Sequence, residues 1–185
     1  MLEDILFALW FFLPAGVANA IPVFVAKMPG IKAYEAPMDC GLTFRGRRVF
    51  GAHKTWRGLI AGIIAGTLTL WLQQYLVGEF SWFDGFADQV DYQALPTLIM
   101  GPLFAIGALG GDAIESFFKR QLNISPGKGW FPFDQTDYII GVAIATMPFV
   151  SLSIGQYAWL IVVWLIMHVI STVIGYFLGL KERPI

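Results

Sequence analysis

The chain has 185 residues, 57% of them hydrophobic and only 14% charged, and its 12 basic and 13 acidic side chains leave a formal net charge of -1. Soluble domains average about 25% charged residues, so an ordinary water-soluble fold is excluded. The 16% aromatic content excludes a solvated disordered tail, the lone Cys40 excludes an internal disulfide, and the balanced charge argues against a nucleic-acid partner.

Five apolar stretches follow one another: Ile5 to Ala26, Gly58 to Val77, Leu95 to Phe118, Tyr138 to Ile154 and Tyr157 to Leu180. Each is close to the ~20 residues with which a helix crosses ~30 Å of hydrocarbon, and open sheet edges are not satisfied in lipid. The expected fold is therefore all-α, a polytopic bundle of five transmembrane helices forming one domain over residues 1–185. The first stretch opens with Glu3 and Asp4 instead of a basic region, which favours a span over a cleaved leader.

The cations are segregated. Lys27, Lys32, Arg45, Arg47, Arg48, Lys54 and Arg57 lie between the first two stretches, Lys119, Arg120 and Lys128 between the third and fourth, and Lys181 and Arg183 in the tail. With five spans all three segments share one side, which the positive-inside rule makes cytoplasmic. Glu3, Asp4, Glu79, Asp84, Asp88 and Asp91 fall on the other side. The expectation is a multi-pass cell-membrane protein with two cytoplasmic loops, its amino terminus outside and its carboxyl terminus cytoplasmic.

Glycines recur every four residues at Gly58, Gly62 and Gly66, at Gly107 and Gly111, and at Gly175 and Gly179, a spacing that lets helices approach closely, either within the chain or across a homodimer. Phe80, Trp82, Phe83 and Phe86, interleaved with acids, form an interfacial segment with no chemistry assigned.

Ionisable groups are costly near a bilayer and mark the place to look for function. Asp112, Ser116 and Lys119 share a face near the end of the third stretch, and Glu115 pairs with Lys119 at four residues. A short loop broken by Ser125-Pro126-Gly127 and Gly129 delivers Asp134 and Asp137, three apart, to the start of the fourth. Hard oxygen donors without a Cys or His cluster suit Mg²⁺, and Mg²⁺ suggests a phosphate ligand; equally, Asp134 would cap the helix and Asp137 favour its first turn. Lys54, Thr55 and Arg57 open the second helix, where its dipole attracts anions such as a triphosphate; an interfacial anchor with Trp56 is the alternative. His53 either donates to phosphate or is solvated, and His168 is read as an interhelical hydrogen-bonding group. Asn19, between Pro14 and Pro22, either makes such a bond or lines a substrate groove.

The order of KTWRG at 54–58, GDAIESFFKR at 111–120, PGKGWFPFDQTD at 126–137 and the closing HVISTVIGYFLGLKERPI resembles the archaeal CDP-archaeol synthase family, a branch of the CTP-dependent phosphatidate cytidylyltransferases. The likeness runs from Pro37-Met38-Asp39-Cys40-Gly41 onward. Ser116, Lys119 and Arg120 match the start of the wider signature, S-x-x-K-R; Pro126 and Gly127 match its turn, and Asp134 and Asp137 its closing acids. Lys128, Trp130 and Gln135 depart from it, and its Lys-Asp pair is missing, which makes Asp112 the candidate third carboxylate.

That resemblance implies a reaction between CTP and 2,3-di-O-geranylgeranylglycerol 1-phosphate, giving CDP-archaeol and pyrophosphate with Mg²⁺ as cofactor. It implies Asp134, Asp137, Lys119 and Arg120 as catalytic groups and Asp134, Asp137 and Asp112 as metal ligands. Lys54, Thr55, Arg57, Ser116 and Lys128 would bind the nucleotide. The partners implied are CTP, an isoprenoid ether lipid phosphate and membrane lipid. A small transporter or lipid-handling protein is the alternative, but it would place charges at mid-membrane, whereas here they crowd one rim.

Overall fold

The computed structural model describes residues 1–31, 33–125 and 128–179. Lys32, the Pro126-Gly127 turn, the end of the last predicted span at Leu180, and the tail with Lys181 and Arg183 lie outside the described residues. Among the described residues there are five α-helices: α1 (Leu2–Val25), α2 (Trp56–Glu79), α3 (Thr97–Gln121), α4 (Phe133–Thr146) and α5 (Ile154–Phe177). A small antiparallel hairpin, β1 (Thr43–Phe44) with β2 (Arg47–Arg48), precedes α2, and a kinked 3₁₀ segment, Ser81–Gln89, follows it.

Helices α1, α2, α3 and α5 are long and apolar enough to cross a membrane. The fourth predicted stretch differs: its helix begins five residues early, at Phe133, and ends at Thr146 after 14 residues. Pro148 has no N–H to continue the hydrogen-bond ladder, and residues 147–153 lie outside the helix. The early start carries Asp134 and Asp137 onto α4 itself.

Inside the bundle, side chains bond backbone carbonyls, one of them released by proline, as an apolar medium requires. Pro14 lacks the N–H that would bond the Trp10 carbonyl, and the buried Gln73 of α2 donates its Nε2 to that carbonyl at 2.5 Å. Trp164 of α5 donates Nε1 to Ala8 O at 2.8 Å, and the Tyr138 hydroxyl of α4 donates to Trp164 O at 2.9 Å. Phe7, Phe11 and Phe12 of α1 and Phe104 of α3 are fully enclosed at the centre of this core.

The glycine rows on α2 and α3 are consumed by packing within the chain, whereas a Cβ at Gly179 would meet nothing within 4 Å. A Cβ at Gly62 would stand 3.1 Å from Ala18 O of α1, and one at Gly66 would stand 3.3 Å from Pro14 O and 3.4 Å from Gly101 O. Between α3 and α4 the backbones nearly touch: a Cβ at Gly107 would lie 2.7 Å from Val142 Cα, and one at Gly111 would overlap the Asp137 carbonyl. That contact sets the register of the short helix against α3.

All described cations lie toward one end of the bundle. Arg47 donates to Gln121 O at the end of α3, Lys54 pairs with Asp112, and Lys27 donates to Gly179 O beyond α5 at 2.9 Å. The start of α5 sits at the opposite end, where Gln156 bonds Gln89 of the 3₁₀ segment at 2.9 Å.

Candidate active site at the charged end

Two loops and two helices build the charged end. The first loop is organised around Asp39, whose side chain is fully enclosed. Its Oδ2 accepts from Phe50 N (3.1 Å), Gly51 N (3.0 Å) and Arg48 Nε (3.1 Å), and its Oδ1 from Gly41 N (3.1 Å) and Arg48 Nη2 (2.5 Å). The Arg48 guanidinium above all, and then the backbone N–H groups, hold the Asp39 carboxyl well below the usual carboxylate range against the opposing effect of burial. Met38 N donates to Lys54 O at 2.7 Å and Trp56 N to Ala36 O at 3.0 Å, so the same loop seats the start of α2.

Thr55 is the N-cap of α2, its hydroxyl accepting from Gly58 N at 3.2 Å. Lys54, just before it, reaches Asp112 of α3 at 2.5 Å. Arg57 folds back on the loop, donating to Ile31 O at 3.1 Å and standing 3.8 Å from Glu35. These residues, with His53 and Asp112, line a cavity of about 320 Å³ against Asn19 and Pro22 of α1.

Beside the cavity, α3 and α4 bring three carboxylates together. Asp112, Glu115 and Asp137 present oxygens within 4.8 Å of one another, and all three are buried or half-buried. The geometry has a simple origin. Asp112 and Glu115 are three apart on one face of α3, and glycine at 111 lets the α4 backbone settle at Asp137. An all-oxygen set of carboxylates, with no His or Cys among them, suits a hard divalent cation such as Mg²⁺.

Asp134 adjoins that trio through Glu115, with which its carboxyl is in side-chain contact, without belonging to it. Its Oδ1 accepts from the buried Lys119 Nζ at 2.7 Å, and its Oδ2 accepts from the Trp130 backbone N–H. Lys119 also stands 3.4 Å from Glu115, so one ammonium ties two carboxylates on different helices. Ser116 is buried on α3, Arg120 is half-buried in its last turn, and Lys128 is exposed in the following loop. The structure thus groups Asp112 with Asp137 and sets Asp134 against Lys119. Glu115, read from the sequence only as a partner of Lys119, joins the acidic group; its signal was the Asp-x-x-Glu spacing.

A second cavity, of about 390 Å³, opens between α1 and α5 and is mostly apolar, walled by Leu13, Val17, Phe24, Met167, Ile174 and Leu178. It meets the charged cavity at Asn19 and Val23, which line both.

Membrane-length helices around a charged cavity that opens into an apolar groove define an integral membrane protein whose site suits a phosphorylated amphiphile. The chain belongs to the CarS-like family, CDP-archaeol synthase, which matches residues 1–185. It is 36% identical over 185 residues to the CDP-archaeol synthase of Thermococcus onnurineus, with 99% of this chain and 98% of that protein covered. The Methanocaldococcus jannaschii CDP-archaeol synthase is 35% identical over 194 residues, covering 98% of each. A solved structure of an intramembrane enzyme for archaeal membrane lipids biosynthesis superposes with a TM-score of 0.71 at 27% identity, over 90% of this chain and 92% of that one.

Proposed function

We propose that this protein transfers a cytidylyl group from CTP to 2,3-di-O-geranylgeranylglycerol 1-phosphate, releasing pyrophosphate and forming CDP-archaeol in the membrane. The observation that carries this reading is the junction of a cavity lined by cations and carboxylates with an apolar groove between α1 and α5. Such a pair of surfaces matches a triphosphate on one side and a lipid phosphate on the other, and the family supports it.

The chemistry asks little of a general base. A phosphomonoester has a second pKa near 6 and is largely ionised at neutral pH, so its oxygen is already nucleophilic. The new bond joins that oxygen to the α-phosphorus of CTP, and the bond from the α-phosphorus to the bridging β-phosphate oxygen breaks. The obstacle is repulsion between two anions, so catalysis consists of positioning and charge neutralisation. Lys54 and Arg57 at the start of α2, with Lys119, Arg120 and Lys128, would hold phosphates there. Thr55 and Ser116 would add hydroxyls. Asp134 would fix the Lys119 ammonium, to which it is bonded at 2.7 Å. Asp112, Glu115 and Asp137 would hold Mg²⁺, which supplies charge neutralisation to the leaving pyrophosphate when bound.

The proposal extends to topology. Helix α3 ends and α4 begins at the charged end, whereas α5 begins at the other, beside Gln89. Residues 133–154 would therefore make a fifth crossing, through 14 helical residues and a short extended piece. With five crossings the charged end faces the cytoplasm by the positive-inside rule, and the amino terminus faces outward.

The test is label transfer from radiolabelled CTP into the organic phase by purified, detergent-solubilised protein, with the ether lipid phosphate or phosphatidic acid as acceptor. Mg²⁺-dependent transfer, faster with the ether lipid, is expected. Folded protein that transfers no label to either lipid would refute the reading.

A further inference from the structure

Asn19 lines both cavities and, among the described residues, is the one polar residue that does so. It belongs to α1, a helix long and apolar enough to span the membrane, where an amide without a partner is costly. Gln73, another amide inside the bundle, commits its Nε2 to the carbonyl that Pro14 releases. Asn19 has no such arrangement: among the described residues its side chain makes no hydrogen bond within the protein. It is half-buried, and its amide is open to the two cavities it lines.

Nearby polar groups of the groove are committed elsewhere. The Tyr138 hydroxyl donates to Trp164 O and the Ser171 hydroxyl to His168 O, at 2.9 Å each. An amphiphile seated with its phosphate beside Asn19, at the edge of the charged cavity, and its chains along α1 and α5 would pass its glycerol through the junction. Only the groups at that junction meet the part of the molecule where phosphate becomes glycerol.

We propose that the Asn19 carboxamide is a specificity-determining contact for the lipid acceptor, donating an N–H to a phosphate oxygen of its glycerol-phosphate head group. This rests on the cytidylyl-transfer reading and deepens it, because it assigns the acceptor's head group to a position distinct from the nucleotide's phosphates. An N–H donor at a fixed point on one wall distinguishes the lipid from CTP, which would be held by the cations farther into the cavity.

Full-length protein reconstituted with the ether lipid phosphate provides the test, with KM measured separately for lipid and for CTP in the wild type, Asn19→Leu and Asn19→Gln. Leucine keeps the approximate volume and removes the donor. A lost hydrogen bond to a charged group predicts a lipid KM raised about 10- to 100-fold, with the CTP KM within about twofold. Glutamine, which retains a donor, should recover part of the loss. Because no internal bond is removed, the thermal midpoint of Asn19→Leu should match or exceed that of the wild type. An unchanged lipid KM in an active variant overturns the proposal, as does an equal rise in both KM values or a lowered midpoint, either of which marks Asn19 as a structural residue. Wild-type protein that transfers no label would instead overturn the cytidylyl-transfer reading, and this proposal with it.

Discussion

Replacing Asp39 by asparagine should disorder the loop that seats the start of α2. Asp39 accepts five hydrogen bonds, two at Oδ1 and three at Oδ2, and every partner is a donor. An amide can present its oxygen to only one of these sets, while its NH₂ faces the other. The cheaper orientation places NH₂ where Oδ1 stood, losing the bonds from Gly41 N and Arg48 Nη2 and leaving the guanidinium without its counter-charge. Arg48 is about a third exposed, so solvent screens the pair, and the loss is mainly that of the hydrogen bonds to the enclosed carboxylate, about 1–2 kcal/mol. That is on the order of tenfold in a loop-opening equilibrium. Because Met38 N bonds Lys54 O and Trp56 N bonds Ala36 O, opening releases Lys54 and Thr55 as well. Hydrogen exchange in Asp39→Asn should accelerate by roughly that factor at the Phe50 and Gly51 amides, and CTP affinity should fall in step with the fraction of closed loop. Unchanged exchange at those amides, with CTP affinity within twofold, would refute the reasoning.

The same group sets a pH dependence whose sign follows from its depressed carboxyl. A folded pKa below the unfolded one, near 3.9, makes the stabilisation fully present above the unfolded value and lost as pH falls through the folded one. Protection of the Phe50 and Gly51 amides, corrected for intrinsic exchange, should therefore stay level from about pH 5 to 8 and decline only in strong acid. In Asp39→Asn this acid-dependent decline should be absent.

Three further outcomes follow from the site and its supports. Gly111→Ala should force α3 and α4 apart at Asp137, cost about 1–3 kcal/mol and reduce turnover at least tenfold, whereas Gly110→Ala, with nothing within 4 Å of its added Cβ, should leave midpoint and turnover near wild type. Lys119→Met should lower the thermal midpoint in detergent, because it leaves Glu115 and Asp134 without their shared ammonium, a loss of about 3 kcal/mol or more. Asp134→Ala and Asp137→Ala should each abolish label transfer in folded protein, and chelation should do the same reversibly, with Mg²⁺ restoring activity; near-normal turnover in either variant would remove that residue from the machinery.

The four membrane-length helices and the charged rim were legible in the sequence because both depend on composition over long windows, and lipid imposes that composition directly. The short α4 was legible in principle: Pro148 stands inside the apolar stretch 138–154 and ends the helix, but a hydropathy window counts proline as one more uncharged residue. No sequence pattern assigns Asp39 its role, since its four partner residues come from positions 41 to 51 of an irregular loop and no periodicity predicts that geometry.

The acidic site shows where sequence reasoning stops. Spacing along one helix puts Asp112 and Glu115 on a common face, and spacing along another puts Asp134 and Asp137 together. Which carboxylates meet across the two helices is decided by register, and register is decided by where the backbones can touch. Gly111 permits contact at the Asp137 carbonyl, so Asp137 turns toward Asp112 while Asp134, one turn nearer the end of the bundle, meets Lys119. The four-residue glycine spacing signals a close approach without naming its partner. If the register is the cause, displacing it at position 111 should weaken Mg²⁺ activation without altering any carboxylate, and Gly110→Ala should not. A Gly111→Ala protein with an unchanged Mg²⁺ requirement and turnover would mean that the carboxylates find one another independently of that contact.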